Sequence, residues 1–180
     1  SVEGLENIPK DGKFLIVSNH PMGAADAIAL YHTIYPARND LFFFANELFV
    51  YLLGAFHDLL APVMWSKEKE THSANKVTLE RLSVFFGDGR PGIIFPSGRL
   101  SRLTFFGLWD RPWEKTPIAL AKKYNFPLIP VYVEGRNSWF FYFASYVNKQ
   151  LRDVSQLNEL FNKRDKNISI ETVSYTHLTL

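Results

Sequence analysis

FLIVSNHPMGAADA, residues 14–27, is the stretch on which the fold turns. Phe14-Leu15-Ile16-Val17 is a continuous apolar run and reads as a buried strand, and Gly23-Ala24-Ala25 reads as a tight turn into a helix. Helical spacing continues from Ala24 to Tyr35 and stops at Pro36. His20 therefore stands at the C-terminal end of a strand, where open α/β sheets gather their chemistry. Asp26 follows six positions later, near enough for a strand-turn-helix to return its carboxylate to the imidazole. A histidine here is either a satisfied structural residue or a proton acceptor working near neutral pH. Asp26 favours the second, since a carboxylate can fix the tautomer and stabilise the imidazolium. Gly23, Ala24 and Ala25 leave room for a substrate.

Outward from this stretch, strand-like and helix-like segments alternate. Strands are expected at Leu41–Phe44, Ile93–Phe95, Leu128–Val133 and Ile168–Glu171, with a short extended piece at Pro62–Trp65. Helices are expected at Leu48–Leu60, Ser73–Phe86 (capped by Ser73), Thr116–Tyr124, Trp139–Leu151 and Val154–Arg164. Apolar strands alternating with helices predict an α/β fold, a single domain with a mostly parallel central sheet covered by helices. No repeat or low-complexity linker divides it. The domain is expected over residues 1–172, truncated at both ends; 173–180 (VSYTHLTL) reads as a non-native tail that resembles sequencing-adapter read-through, the alternative being a genuine strand end. His177 is accordingly left out of any site.

Composition narrows the function. A formal charge of +2 gives no basic field for nucleic acid, and the absence of cysteine excludes a disulfide scaffold, a thiolate metal site and a Cys nucleophile. No purely apolar run of eighteen residues predicts a transmembrane helix, and the polar start SVEGLENIPKDG is no secretory signal. The chain does not begin with Met, so an anchor could precede it. Aromatic residues make up 16% of the chain. LFFFANELFVYLLGAF (41–56) and WFFYF (139–143) are read as mostly core, the remainder forming an interfacial face toward membrane or acyl chain.

Two further clusters follow strands. GIIFPSGRLSR (92–102) empties into a polar loop with Arg99 and Arg102, which either binds a phosphate or carboxylate or is a solvated surface loop. PLIPVYVEGRNS (127–138) is a strand whose Pro130 suggests a bulge or sheet edge. Its elbow residues Arg136 and Asn137 either bind a ligand or cap the next helix. Other signals fall away. GDGRPG (87–92) matches a dinucleotide fingerprint but precedes a strand, so it reads as a helix-to-strand loop. No GxSxG elbow or phosphate-binding GxxxxGK[ST] loop is present, and His32, His57 and His72 show no zinc-ligand spacing.

Taken in order, NHPMGAAD, FPSGRLSR, DRPWEKT (110–116) and IPVYVEGRNSWFFY (129–142) resemble the glycerolipid acyltransferases related to bacterial lysophosphatidic acid acyltransferase. The one-residue-longer His–Asp spacing is similar to the branch of ornithine-lipid and hemolysin-type acyltransferases. The resemblance runs over residues 8–171 and implies His20 as general base and Asp26 as its partner. It implies acceptor contacts from Gly98, Ser101 and Arg102 and a structural or acyl-binding role for Pro130; Asn19, Arg99, Arg136 and Asn137 join them as substrate-binding candidates. Ser97 stands where the family's FPEG block has glutamate, and the basic residue of the second block has only Lys67 as a candidate.

The implied reaction is direct acyl transfer from acyl-ACP or acyl-CoA to a lysophospholipid such as 1-acylglycerol-3-phosphate, with no metal or redox cofactor. The implied partners are the acyl carrier protein or CoA thioester, a lipid acceptor and a membrane surface, in phospholipid biosynthesis. The implied place is cytoplasmic, peripheral on the inner face of the cell membrane. Alternatives are an N-acyltransferase of ornithine-lipid type, a thioesterase or lipid hydrolase, and a non-catalytic lipid-binding module.

Overall fold

A computed structural model describes residues 1–46, 50–51, 54–63, 72–164 and 166–173. Its main sheet has seven strands: β1 (Val2–Glu3), β2 (Leu15–Ser18), β3 (Phe42–Asn46), β4 (Leu60–Val63), β5 (Gly92–Ile94), β8 (Leu128–Glu134) and β9 (Ser169–Thr172). A separate hairpin consists of β6 (Arg102–Thr104) and β7 (Gly107–Trp109). The helices are α1 (Ala24–Ile34), α2 (His72–Gly87), α3 (Thr116–Tyr124), α4 (Trp139–Val147) and α5 (Lys149–Asn162). In space the main sheet runs β1-β9-β8-β2-β5-β3-β4, and every pairing in it is parallel except β8 with β9. The chain is α/β, with a mostly parallel sheet.

The apolar run at 14–17 is buried on both faces, which is why it does not alternate with polar residues. Phe14 and Ile16 join the core under α1 with Leu30 and Ile34. Leu15 and Val17 join the opposite layer with Phe85 and Phe86 of α2 and Leu120 and Ala121 of α3. Since β5, β2 and β8 lie side by side and parallel, the loops after Ile94, Ser18 and Glu134 leave the same edge of the sheet. The strands that follow β2 go to both sides of it, so His20 emerges at a topological switch point.

Several expectations are corrected. Residues 54–59 of the expected helix Leu48–Leu60 form a 3-10 helix, and Leu60 already belongs to β4. Helix α2 begins at His72, so Ser73 lies inside it and is not the residue before it. The helices after β8 divide at Asn148, whose extended backbone and side chain, accepting from the Gln150 N–H at 2.7 Å, cap α5. Pro130 sits in an inner strand with no sheet edge beside it. Leu15 N–H donates to Pro127 O, so in this parallel register the odd residues of β8 face β2 and Pro130 faces β9. Its missing N–H falls where the β8–β9 ladder ends, and its carbonyl still accepts from Val173 N–H at 3.1 Å. Arg102, expected in a loop, opens β6. Met64, Trp65, Lys67 and residues 174–180 lie outside the described residues, as do the side chains of His72 and Ser73.

The opposite edge of the sheet is tied by Arg38. Its guanidinium takes both oxygens of Asp40 at 2.9 and 2.8 Å and donates to Gly12 O at 2.8 Å, with a further bond to Gly89 O in the GDGRPG loop. That loop is the helix-to-strand connection the sequence suggested. Arg38 also holds the Asp40 carboxyl below its usual range, chiefly through this hydrogen bonding. The contribution is therefore present above the unfolded carboxyl's pKa and lost as pH falls through the lowered one. Arg38→Ala should lower stability by about 2–3 kcal/mol, read as a lower urea midpoint at unchanged slope.

Candidate active site

Gly23 precedes α1 with φ +79°, a conformation that favours glycine, and Asp26 is the third residue of that helix. The carboxylate returns to the turn: Oδ2 accepts from the Met22 and Gly23 N–H groups, both at 2.9 Å. This caps the helix start, where the dipole favours negative charge. His20 Nδ1 lies 3.0 Å from the same oxygen, while Asp26 Oδ1 is buried with no partner among the described residues. The Nδ1 contact is close but not aligned as a hydrogen bond. Burial pushes the Asp26 carboxyl up, against the opposing pull of His20 and of the Met22 and Gly23 N–H groups.

The imidazole is fixed on its other sides as well. It stacks on Phe95, centroids 4.0 Å apart, and keeps 17% of its side-chain surface open. Its Nε2 has no hydrogen-bond partner among the described residues, so that nitrogen is the one available to a substrate. The His20 carbonyl accepts from Ser101 N–H at 2.8 Å, and its N–H donates to Asp110 Oδ1 at 3.3 Å. Asp110 also accepts from the Ser101 hydroxyl and, at 3.0 Å, from Trp113 Nε1. Asp110 thus joins the segments of His20, Ser101 and Trp113 in one network.

The remaining sequence candidates divide by what they touch. Asn19 spends its carboxamide on the main chain of Val133, accepting its N–H at 2.7 Å and donating to its carbonyl at 2.8 Å. It prolongs the β2–β8 ladder past the end of β2 and so sets where His20 begins. Ser97, the substitute for glutamate, donates to Arg99 O at 2.7 Å and folds the turn that Gly98 allows with φ +59°. The space over Gly23 is filled by Leu100 and Gln156, so that glycine supplies a backbone shape and not room for substrate. Gly135 lies against Met22, where a side chain would collide, and closes the β8 loop onto the His20 turn. Asn137 in that loop is buried, with neither carboxamide atom partnered among the described residues, and its N–H donates to Tyr142 Oη at 3.1 Å. The helix-capping alternative belongs to Ser138, held by Glu159 at 2.9 and 2.5 Å. Burial pushes the Glu159 carboxyl up, but the Ser138 and Lys163 hydrogen bonds outweigh it and hold the group below its usual range. Arg136 is exposed.

Arg99, Arg102 and Arg111 form no ion pair among the described residues. Burial, then the fields of Arg99, Arg102 and Arg152, push the Arg111 guanidinium below its ordinary value. This concentration of positive charge beside the His20 loops suits a phosphate or carboxylate. Asp110 and Arg111 went unassigned in the sequence although DRPWEKT was singled out, and Arg152 carried no signal. Among the described residues no cluster of His, Asp and Glu could hold a metal ion.

The sequence has counterparts among known proteins. The family model described as acyltransferase matches residues 1–171. A lyso-glycine lipid O-acyltransferase of Phocaeicola vulgatus is 32% identical over 151 residues, 83% of this chain and 52% of that protein. One of the same name from Bacteroides thetaiotaomicron is 32% identical over 178 residues, 94% of this chain and 62% of that protein. The chain thus spans between half and two thirds of the length of these relatives. With His20 and Asp26 paired at the switch point and the match running from residue 1 to 171, the chain belongs to the acyltransferase family.

Proposed function

We propose that this chain carries the chemistry of a lipid O-acyltransferase, moving an acyl group from an acyl thioester to the hydroxyl of a lyso-lipid with an anionic head. The observation that carries the reading is the His20–Asp26 pair, 3.0 Å apart, with the opposite imidazole nitrogen unpartnered among the described residues. His20 Nε2 takes the acceptor's hydroxyl proton as the oxygen attacks the thioester carbonyl. The tetrahedral intermediate collapses, the C–S bond breaks, and the sulfur of ACP or CoA takes the proton back from the imidazolium and leaves as the thiol, restoring neutral His20. Asp26 stabilises that imidazolium from the Nδ1 side. Asn19 and Asp110 act as positioning residues, holding the main chain on either side of the ring. Arg99, Arg102 and Arg111, with Ser101, Arg136 and Asn137, receive the acceptor. The names of the two relatives favour O-acyl over N-acyl transfer.

No helix among the described residues is long and apolar enough to cross a membrane. A lipid acceptor calls for an enzyme that works on a membrane surface, and the surface proposed is the inner face of the cell membrane. The test is transfer of a labelled acyl group from acyl-ACP and acyl-CoA to lysophosphatidic acid, lyso-glycine lipid, lyso-ornithine lipid and no acceptor. Labelled diacyl lipid made only with a hydroxyl acceptor supports the reading. Release of free fatty acid alone makes the protein a thioesterase, amide formation makes it an N-acyltransferase, and no turnover leaves a lipid-binding module. Arg111→Gln should raise the acceptor KM about tenfold with kcat little changed, because it removes one charge-assisted contact to the head group.

A further inference from the structure

The hairpin β6–β7 ends in two aromatic side chains with almost nothing over them: Phe105 is 99% exposed and Phe106 88%. The strands are joined by these two residues alone, with Thr104 paired to Gly107 and the Thr104 hydroxyl donating to Gly107 O at 2.8 Å. Leu103, Trp109 and Trp113 extend the exposed apolar surface toward the base of the hairpin. At that base stand Arg99, Arg102 and Arg111, without a carboxylate partner among the described residues. An apolar tip above a collar of tryptophan and arginine complements one surface, an anionic bilayer. The phenyl rings would enter the acyl boundary, the indoles would lie at the headgroup level and the guanidinium groups would meet lipid phosphates.

We infer that the β6–β7 hairpin is the membrane-docking element, with Phe105 and Phe106 inserted into an anionic lipid surface. The inference deepens the membrane-surface part of the proposed function and rests on it. β6 begins one residue after Ser101, whose N–H holds the His20 carbonyl, so docking through this hairpin brings the opening at His20 to the bilayer. A lipid acceptor then reaches the base without leaving the membrane. Charge decides between a bilayer and a second copy of the chain: a copy would bring its own unpaired arginines to the contact, whereas anionic lipid neutralises them.

The experiment is co-sedimentation with vesicles of equal phosphatidylglycerol and phosphatidylcholine, set beside phosphatidylcholine alone. The wild type, Phe105→Ser/Phe106→Ser and Val84→Ser, an exposed apolar site on α2, are compared after circular dichroism confirms equal folding. The wild type and Val84→Ser should bind the anionic vesicles in a salt-sensitive manner, and the double variant should bind them at least about tenfold more weakly. Transfer to a vesicle-embedded acceptor should fall in parallel, while transfer to a short-chain, water-soluble acceptor stays at the wild-type rate. Equal vesicle binding by the double variant overturns the inference, as does a wild type that ignores anionic vesicles. A change from dimer to monomer in the double variant, read by sedimentation velocity, also overturns it and makes the tip a contact between copies. Hairpin-dependent vesicle binding without acyl transfer to any acceptor would leave the docking element standing and remove the acyltransferase reading.

Discussion

His20→Ala should lower acyl transfer by about a thousandfold or more while leaving a folded protein. The ring is wedged between Phe95 and Asp26, so its loss removes one aromatic contact, worth about 1 kcal/mol, and no main-chain hydrogen bond. The backbone at this position is held by Ser101 N–H and by Asp110 through atoms that alanine retains. A purely structural histidine would show the reverse pattern, a falling melting temperature with surviving turnover. Imidazole added to the alanine variant should restore part of the activity, since the vacated slot still faces Asp26. His20→Gln keeps a polar side chain but cannot accept and return a proton at neutral pH, so it should be as inactive as alanine. Labelled diacyl product is the readout for all three.

The opening strand, turn and helix were legible because their signals are local. Four apolar residues followed by a glycine that must adopt positive φ leave few other foldings. The pairing of His20 with Asp26 followed from the same stretch, since an acidic third residue of a helix reaches back to the residues before it. What was not legible is what the sheet assembles. Asp110 lies 90 positions from His20 and touches it only because β5 and β2 are adjacent and parallel. The field of Arg152 reaches Arg111 although 41 positions separate them in the chain, which no spacing in the sequence announces. Asn19 looked like part of a binding motif because a ladder hydrogen bond made by a side chain has no sequence pattern. The hairpin escaped notice because Phe105-Phe106 replaces the Asn-Gly type of turn, and a functional surface is where a local rule is most readily broken. The aromatic stretches divide between core and surface: Phe42, Phe43, Phe44 and Phe141 are buried, while Trp139, Phe140 and Phe143 face outward.

Asp26→Asn should separate catalysis from stability. Activity should fall by about 10^3–10^4-fold, because a neutral amide beside Nδ1 no longer offsets the positive charge of the imidazolium that forms in the reaction. The helix cap survives, since the Asn oxygen can take over the Met22 and Gly23 N–H groups now held by Oδ2. Stability should hold or rise. Burial raises the Asp26 carboxyl in the folded state, so between the unfolded and folded pKa values the native protein binds more protons than the unfolded chain. Stability therefore falls as pH rises through that window, and above it the wild type carries the full cost of a buried carboxylate. Asparagine has no proton to lose and no such cost. The melting temperature of the variant should gain on the wild type as pH rises above the unfolded carboxyl's range, and the gain should stop growing above the raised folded value. A variant that loses activity and melting temperature together would make Asp26 a helix cap that happens to lie beside His20. A variant that is inactive and more stable would show a charge kept in the core at a cost to the fold, for the imidazolium that forms only during the reaction.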